Sequence, residues 1–262
     1  MKLSISNLGW GAEQDLAAYQ LMRQMGYAGL EIAPTRVFPS QPYDDLAAAG
    51  AWREDLRARF GYKIPSMQSI WYGRQENLFG SEEERRILME YTQAAIRFAE
   101  AIGCENLVFG CPRNRAMPEG ATPEQAIPFF RDLGDYAAAH HCVIALEANP
   151  PIYHTNFLNT TQETLAFIQQ VDSEGCRLNL DVGTMVENGE GASLLKGCGP
   201  MIHHVHISEP RLKLIERRAL HQELAALLRD EGYDRYVSIE MGRQGDMNTL
   251  ARTMAYVREV FG

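Results

Sequence analysis

Apolar residues follow two alternating rhythms along the chain. Short runs rich in aliphatic and β-branched residues read as strands at 3–7, 29–33, 64–70, 106–110, 143–148, 177–181, 202–207 and 236–241. Between them, apolar positions recur at helical spacing over 13–25, 43–60, 82–102, 123–141, 162–171, roughly 191–196, 214–231 and 247–261. Gly26, Gly61, Gly103 and Gly232 follow the last turns of four of these helices, where a left-handed C-cap favours glycine. Ser81 before Glu84, and Thr160 or Thr161 before Glu163, have the form of N-terminal caps. Eight strand–helix units in 262 residues, about 33 residues each, predict a closed (β/α)8 TIM barrel, a single α/β domain over residues 1–262. The competing architecture is a doubly wound open sheet, which calls for a glycine-rich phosphate loop after the first strand. Asn7-Leu8-Gly9-Trp10-Gly11 is a poor match to that loop. The sixth helix carries the weakest signal.

Composition narrows the functional classes. Hydrophobic residues make up 45% and charged residues 23%, which suits a globular chain with ample core. Twenty-five Lys+Arg against 34 Asp+Glu give a net charge of −9, the wrong sign for a protein that grips nucleic acid by its phosphates. No run of 18 apolar residues offers a membrane span. The N-terminus reads as a strand and turn instead of a secretion signal. Five cysteines without a Cys-x-x-Cys pair argue against a disulfide framework or a structural zinc site, and favour a cytoplasmic setting.

In such a barrel, chemistry sits at the C-terminal ends of the strands. Four polar residues close otherwise apolar runs there: Glu147, Asp181, His206 and Glu240. Successive gaps of about 34, 25 and 34 residues, each near one β-α unit, assign them to strands five to eight. An unpaired carboxylate buried in such a run costs several kcal/mol, and a shared divalent cation removes that cost. Three carboxylates and one imidazole suit Mn²⁺ first, with Mg²⁺, Co²⁺ or Zn²⁺ as alternatives. The bland reading is that each acid merely pairs with an arginine or caps a loop.

Leu146-Glu147, Leu180-Asp181, His204-Val205-His206-Ile207 and Ser238-Ile239-Glu240 resemble the metal-binding strands of the xylose isomerase-like TIM-barrel superfamily. This is the sugar phosphate isomerase/epimerase group, with its ketose 3-epimerases, hydroxypyruvate isomerases and inosose dehydratases. The resemblance extends over essentially the whole chain. It implies Glu147, Asp181, His206 and Glu240 as ligands of one divalent ion, and Glu147 and Glu240 as the catalytic acid and base. Two positions depart from the family pattern. Thr184 stands where many relatives carry a substrate-touching histidine, and Glu209-Pro210-Arg211-Leu212-Lys213 replaces a Pro-Gly-x-Gly stretch.

Among secondary candidates, Arg211 resembles the family arginine that holds a substrate hydroxyl or carboxylate, a task suited to a fork of donors. Arg113, Thr184, Gln68 and Glu31 are further substrate-binding candidates, each weighed against a structural role. Strand alternation turns His204 to the same side as His206, and His203 toward the outer helices. Trp10 and Trp71 are candidates for an apolar wall beside a sugar. The implied chemistry is proton transfer next to a carbonyl, through an enediolate, on a small sugar, sugar phosphate or keto acid. A dehydratase of the inosose or dehydroshikimate type is the nearest competitor. A non-catalytic sugar-binding barrel and a relative of the barrel apurinic endonucleases are competitors from other classes. Neither a nucleic acid nor a membrane is expected as partner, and homo-oligomerisation stays open.

Overall fold

A computed structural model describes residues 1–262. Seven parallel strands lie in the order β2-β1-β7-β6-β5-β4-β3. They are β1 (Lys2–Ser6), β2 (Gly29–Glu31), β3 (Asn106–Phe109), β4 (Val143–Glu147), β5 (Cys176–Asp181), β6 (Ile202–Ile207) and β7 (Tyr236–Ile239). The expected third strand, 64–70, is not a regular strand. Its Met67 makes isolated parallel bridges to Ile32 on one side and Leu107 on the other. Gln68 N–H donates to the Ile32 carbonyl (2.9 Å) and Met67 N–H to that of Asn106 (2.9 Å), so residues 63–68 still close the ring. Pro65 explains the irregularity: it has no N–H to give to a ladder.

The helices are α1 (Asp15–Gln24), α2 (Pro34–Val37), α3 (Leu46–Phe60), α4 (Glu82–Ile102), α5 (Ile127–Ala139), α6 (Thr161–Val171), α7 (Val182–Asn188), α8 (Ala219–Asp230) and α9 (Met247–Phe261). Ser81 and Thr160 form capping boxes with Glu84 and Glu163, and Gly61 and Gly103 take left-handed C-caps. The sixth helix is misplaced in the sequence reading. It follows β5 at once as α7, with Asp181 accepting from Thr184 N–H (2.6 Å), while Ala192–Leu195 is only a 3-10 turn. Gly189, Gly191 and Gly197 break up the helix expected at 191–196.

Aliphatic residues on the outer faces of the strands meet the helices. The interior is polar instead: Ser4, Ser6, Ser66, Asn106, Asn179 and His204 are all buried there. Trp10 and Trp71 are core residues, with indole N–H groups donating to Asp15 (2.8 Å) and Thr92 (2.7 Å). All five cysteines are free. No helix is long and apolar enough to cross a membrane.

Candidate metal centre

Strand register assembles the site. Glu147, the last residue of β4, lies beside Asn179 of β5, and Asp181, the last of β5, lies beside His206 of β6. A register shift between β5 and β6 near Leu178 and Asn179 makes the second pairing possible. The same irregularity overrides strict alternation at His203. That ring lies 2.8 Å from Asn106 Oδ1 and from Arg235, instead of facing the outer helices. Glu240 follows β7, and its N–H donates to the Ile207 carbonyl (3.0 Å).

Glu147, Asp181, His206 and Glu240 each offer a ligand atom, and these atoms lie within 4.8 Å of one another. His206 Nδ1 is 3.2 Å from Oε2 of both Glu147 and Glu240. Its Nε2 lies 3.0 Å from Glu31 Oε2, a contact that fixes the ring and leaves Nδ1 toward the cluster. His204 Nε2 lies 2.8 Å from the same Glu31 oxygen, and Gln68 donates to Glu31 Oε1 (2.9 Å) and Ser6 Oγ (2.7 Å).

Charge in the cluster is out of balance. Burial, with the Glu147 and Glu240 charges, pushes Asp181 up to about 7. Burial also raises Glu240. For His206, burial opposes the charged form, but Glu31 and Glu240 outweigh it and hold the imidazole well above its ordinary range. Glu31 is held well below the usual carboxylate range, because His206 and His204 overcome the effect of burial. A divalent cation relieves this carboxylate repulsion, and three oxygen donors with one imidazole nitrogen suit Mn²⁺ or a similar ion. The donor set therefore fits the implied metal.

Above the cluster lies a cavity of about 190 Å³, lined by Gln68, Asn149, Tyr153 and the three carboxylates, among others. Gly110 lets it approach: a Cβ there would lie 2.9 Å from Glu147 Oε1. Ser69, Cys111 and Leu212, also lining residues, hold left-handed backbones (φ 57, 43 and 52°), local strain of the kind that clusters at ligand sites.

The remaining sequence candidates divide. Gln68 reaches the cavity, whereas Glu31 sits beneath it as the partner of both histidines. Thr184 is buried and its hydroxyl donates to the Ala148 carbonyl (2.7 Å). Arg113 and Arg211 have exposed side chains. Arg211 acts through its backbone, whose N–H donates to Tyr153 Oη (2.7 Å).

Further residues hold the cluster in place. Asn179 donates to Glu147 Oε2 (2.7 Å) and Asn149 to Glu147 Oε1 (3.0 Å). Ser208 Oγ donates to Asp181 and accepts from Gly183 N–H. Arg115 is fully buried between the Phe109 and Phe157 rings, and donates to the Glu147 carbonyl (3.0 Å). Burial lowers its guanidinium to about 10. A signal existed for Asn179: it lies two residues before Asp181, on the same face of β5.

The model of the xylose isomerase-like TIM barrel family matches residues 19–260, and the chain belongs to that family. Among solved structures, the D-psicose 3-epimerase of Clostridium cellulolyticum H10, with D-tagatose, is similar at a TM-score of 0.80 and 18% identity, over 100% of this chain and 99% of that one. A 3-keto-D-glucoside 4-epimerase from E. coli gives 0.74 and 19%, over 99% of each chain. The IOLI protein with a zinc atom gives 0.71 and 16%, over 100% of this chain and 95% of the other. At these identities the likeness shows the shared fold. No curated protein sequence matches the chain.

Proposed function

We propose that the protein is a divalent-metal-dependent sugar isomerase or epimerase, with Glu147, Asp181, His206 and Glu240 as the metal ligands. The observation that carries this reading is the convergence of three carboxylates and one oriented imidazole beneath a cavity at the C-terminal end of the barrel. Two of the structural neighbours are sugar epimerases, which supports the same class. A bound cation would stabilise negative charge developing on a substrate carbonyl oxygen. The protein's own residues handle the proton. Asn149 and Asn179 hold Glu147 by one amide donor on each carboxylate oxygen. No such amide reaches Glu240, whose carboxylate is thereby left freer than that of Glu147, so Glu240 is the better placed base. Glu147, protonated from solvent before the step, delivers that proton, from the opposite face for epimerisation or to the neighbouring carbon for isomerisation, and Glu240 then gives up the substrate's proton to solvent.

The test has two arms. Calorimetric titration with Mn²⁺ should show binding that Asp181→Asn abolishes or sharply weakens, with an unchanged far-ultraviolet CD spectrum. Proton NMR in D₂O with a panel of ketoses should show solvent deuterium entering at the carbon next to the carbonyl. Glu147→Gln and Glu240→Gln should each slow turnover by about 10²–10⁴-fold, the range for lost acid–base catalysis. Turnover without deuterium uptake would defeat the open two-glutamate mechanism, and release of water from the substrate would assign a dehydratase.

A further inference from the structure

The cavity above the four ligands, about 190 Å³, is smaller than the roughly 300–1,000 Å³ of most small-molecule sites. It does not end at its rim. Leu8 and Ser69 line both this cavity and a broader cleft of about 790 Å³ that also includes residues of the loops after β2. The backbone turns at Ser69, which is left-handed (φ 57°). The turn that follows is closed by Tyr72 N–H on the Ser69 carbonyl (2.9 Å) and Arg74 N–H on the Trp71 carbonyl (3.0 Å). It holds Tyr72 at the cleft with 71% of its surface exposed. A tyrosine ring offers a rigid apolar face with a polar tip, which matches the two-sided character of a sugar ring.

Charge decides what such a space accepts. The inner cavity is lined by Glu147, Asp181, Glu209 and Glu240, and by no lysine or arginine. The cleft has two guanidinium groups, and both are engaged. Arg36 donates to both oxygens of Asp15 (2.6 and 3.3 Å). Arg74 donates to both oxygens of Glu76 (2.5 and 3.0 Å) and lies over the Tyr91 ring at 4.9 Å. Recognition of a phosphate relies on free guanidinium or ammonium donors. Neither space supplies one.

We infer that the substrate is an uncharged saccharide of more than one unit. The reacting ketose lies over Glu147 and Glu240, and a second neutral unit lies in the cleft against Tyr72. This rests on the isomerase or epimerase reading above and excludes phosphorylated sugars from it.

Calorimetry on the Mn²⁺-loaded protein tests it with D-fructose, D-fructose 6-phosphate and three glucosyl-fructoses (turanose, maltulose and isomaltulose). At least one disaccharide should bind about 10-fold more tightly than fructose, equivalent to about 1.4 kcal/mol, and fructose 6-phosphate should bind no more tightly than fructose. Tyr72→Ala should erase most of the disaccharide's advantage over fructose. Tighter binding of the phosphate, no advantage for any disaccharide, or an advantage untouched by Tyr72→Ala would each overturn the inference. Binding is read without turnover. Failure of all these ketoses to exchange deuterium would count against the proposed reaction and leave the binding comparison standing.

Discussion

Residues one layer below the four-residue cluster do most of the positioning. Glu31 is buried beneath His206 and receives its Nε2, and two amides hold Glu147. The four clustered residues, our proposed ligands, stood out in the sequence because an acid or histidine at the end of an apolar strand needs a physical reason to be there. The supporting Asn179 was less legible, since an asparagine inside a strand draws no such penalty once it is hydrogen-bonded. Loop arginines were legible only as positions. Arg211 has a left-handed backbone (φ 61°) and an exposed side chain, and a direction of that kind is set by dihedral angles that spacing does not encode. Tyr153 took its place at the cavity unannounced. Its Oη accepts from Arg211 N–H, which leaves its own proton for a ligand. Tyr153→Phe should therefore lower kcat/KM by about 2- to 10-fold, one neutral hydrogen bond, with Mn²⁺ affinity unchanged. Steady-state kinetics alongside a metal titration check this, and a loss of metal affinity equal to the loss of rate would return Tyr153 to a structural role.

Helices were read well where local chemistry marks their ends. The boxes at Ser81 and Thr160 and the glycine caps at Gly61 and Gly103 are properties of a few adjacent residues. The sixth helix failed because α7 starts immediately after Asp181, which ends β5 and caps the helix. One side chain there serves both as helix cap and as cluster member. The packing of α8 against α9 carries a pH dependence that concerns neither. His221 of α8 is buried, with Nδ1 2.8 Å from Tyr256 Oη of α9. Burial lowers its imidazole from 6.5 to about 4. Since the folded value lies below the unfolded one, the unfolded chain takes up the proton first. This contribution to stability is complete above about pH 6.5 and is lost as the pH falls toward 4. His221→Phe should flatten that part of the profile. Urea unfolding at about pH 7, 5.5 and 4.5 measures it, and a variant with the wild-type slope would clear His221 of the effect.

At the scale of the whole molecule, the ring is uneven. β4 pairs with β5, and β6 with β7, along unbroken ladders, whereas residues 63–68 hold β2 and β3 together by scattered backbone bonds around Pro65. The eight-unit repeat was visible in the sequence, but this weak member was not, because an apolar run of the right length hides a missing N–H. Native-state hydrogen exchange should find the Met67 and Gln68 amides exchanging faster than those of Leu146 and Val205. Equal protection would mean that the ring opens only as a unit. The seam also bears on how copies of the chain treat one another. A closed ring has no edge strand to recruit a neighbour. If residues 63–68 lift away, β2 and β3 become two bare edges while the other strands remain paired. The released segment is itself a poor template, since Pro65 interrupts its row of donors. Aggregation on mild heating would then begin at β2 and β3, on molecules that are still mostly folded.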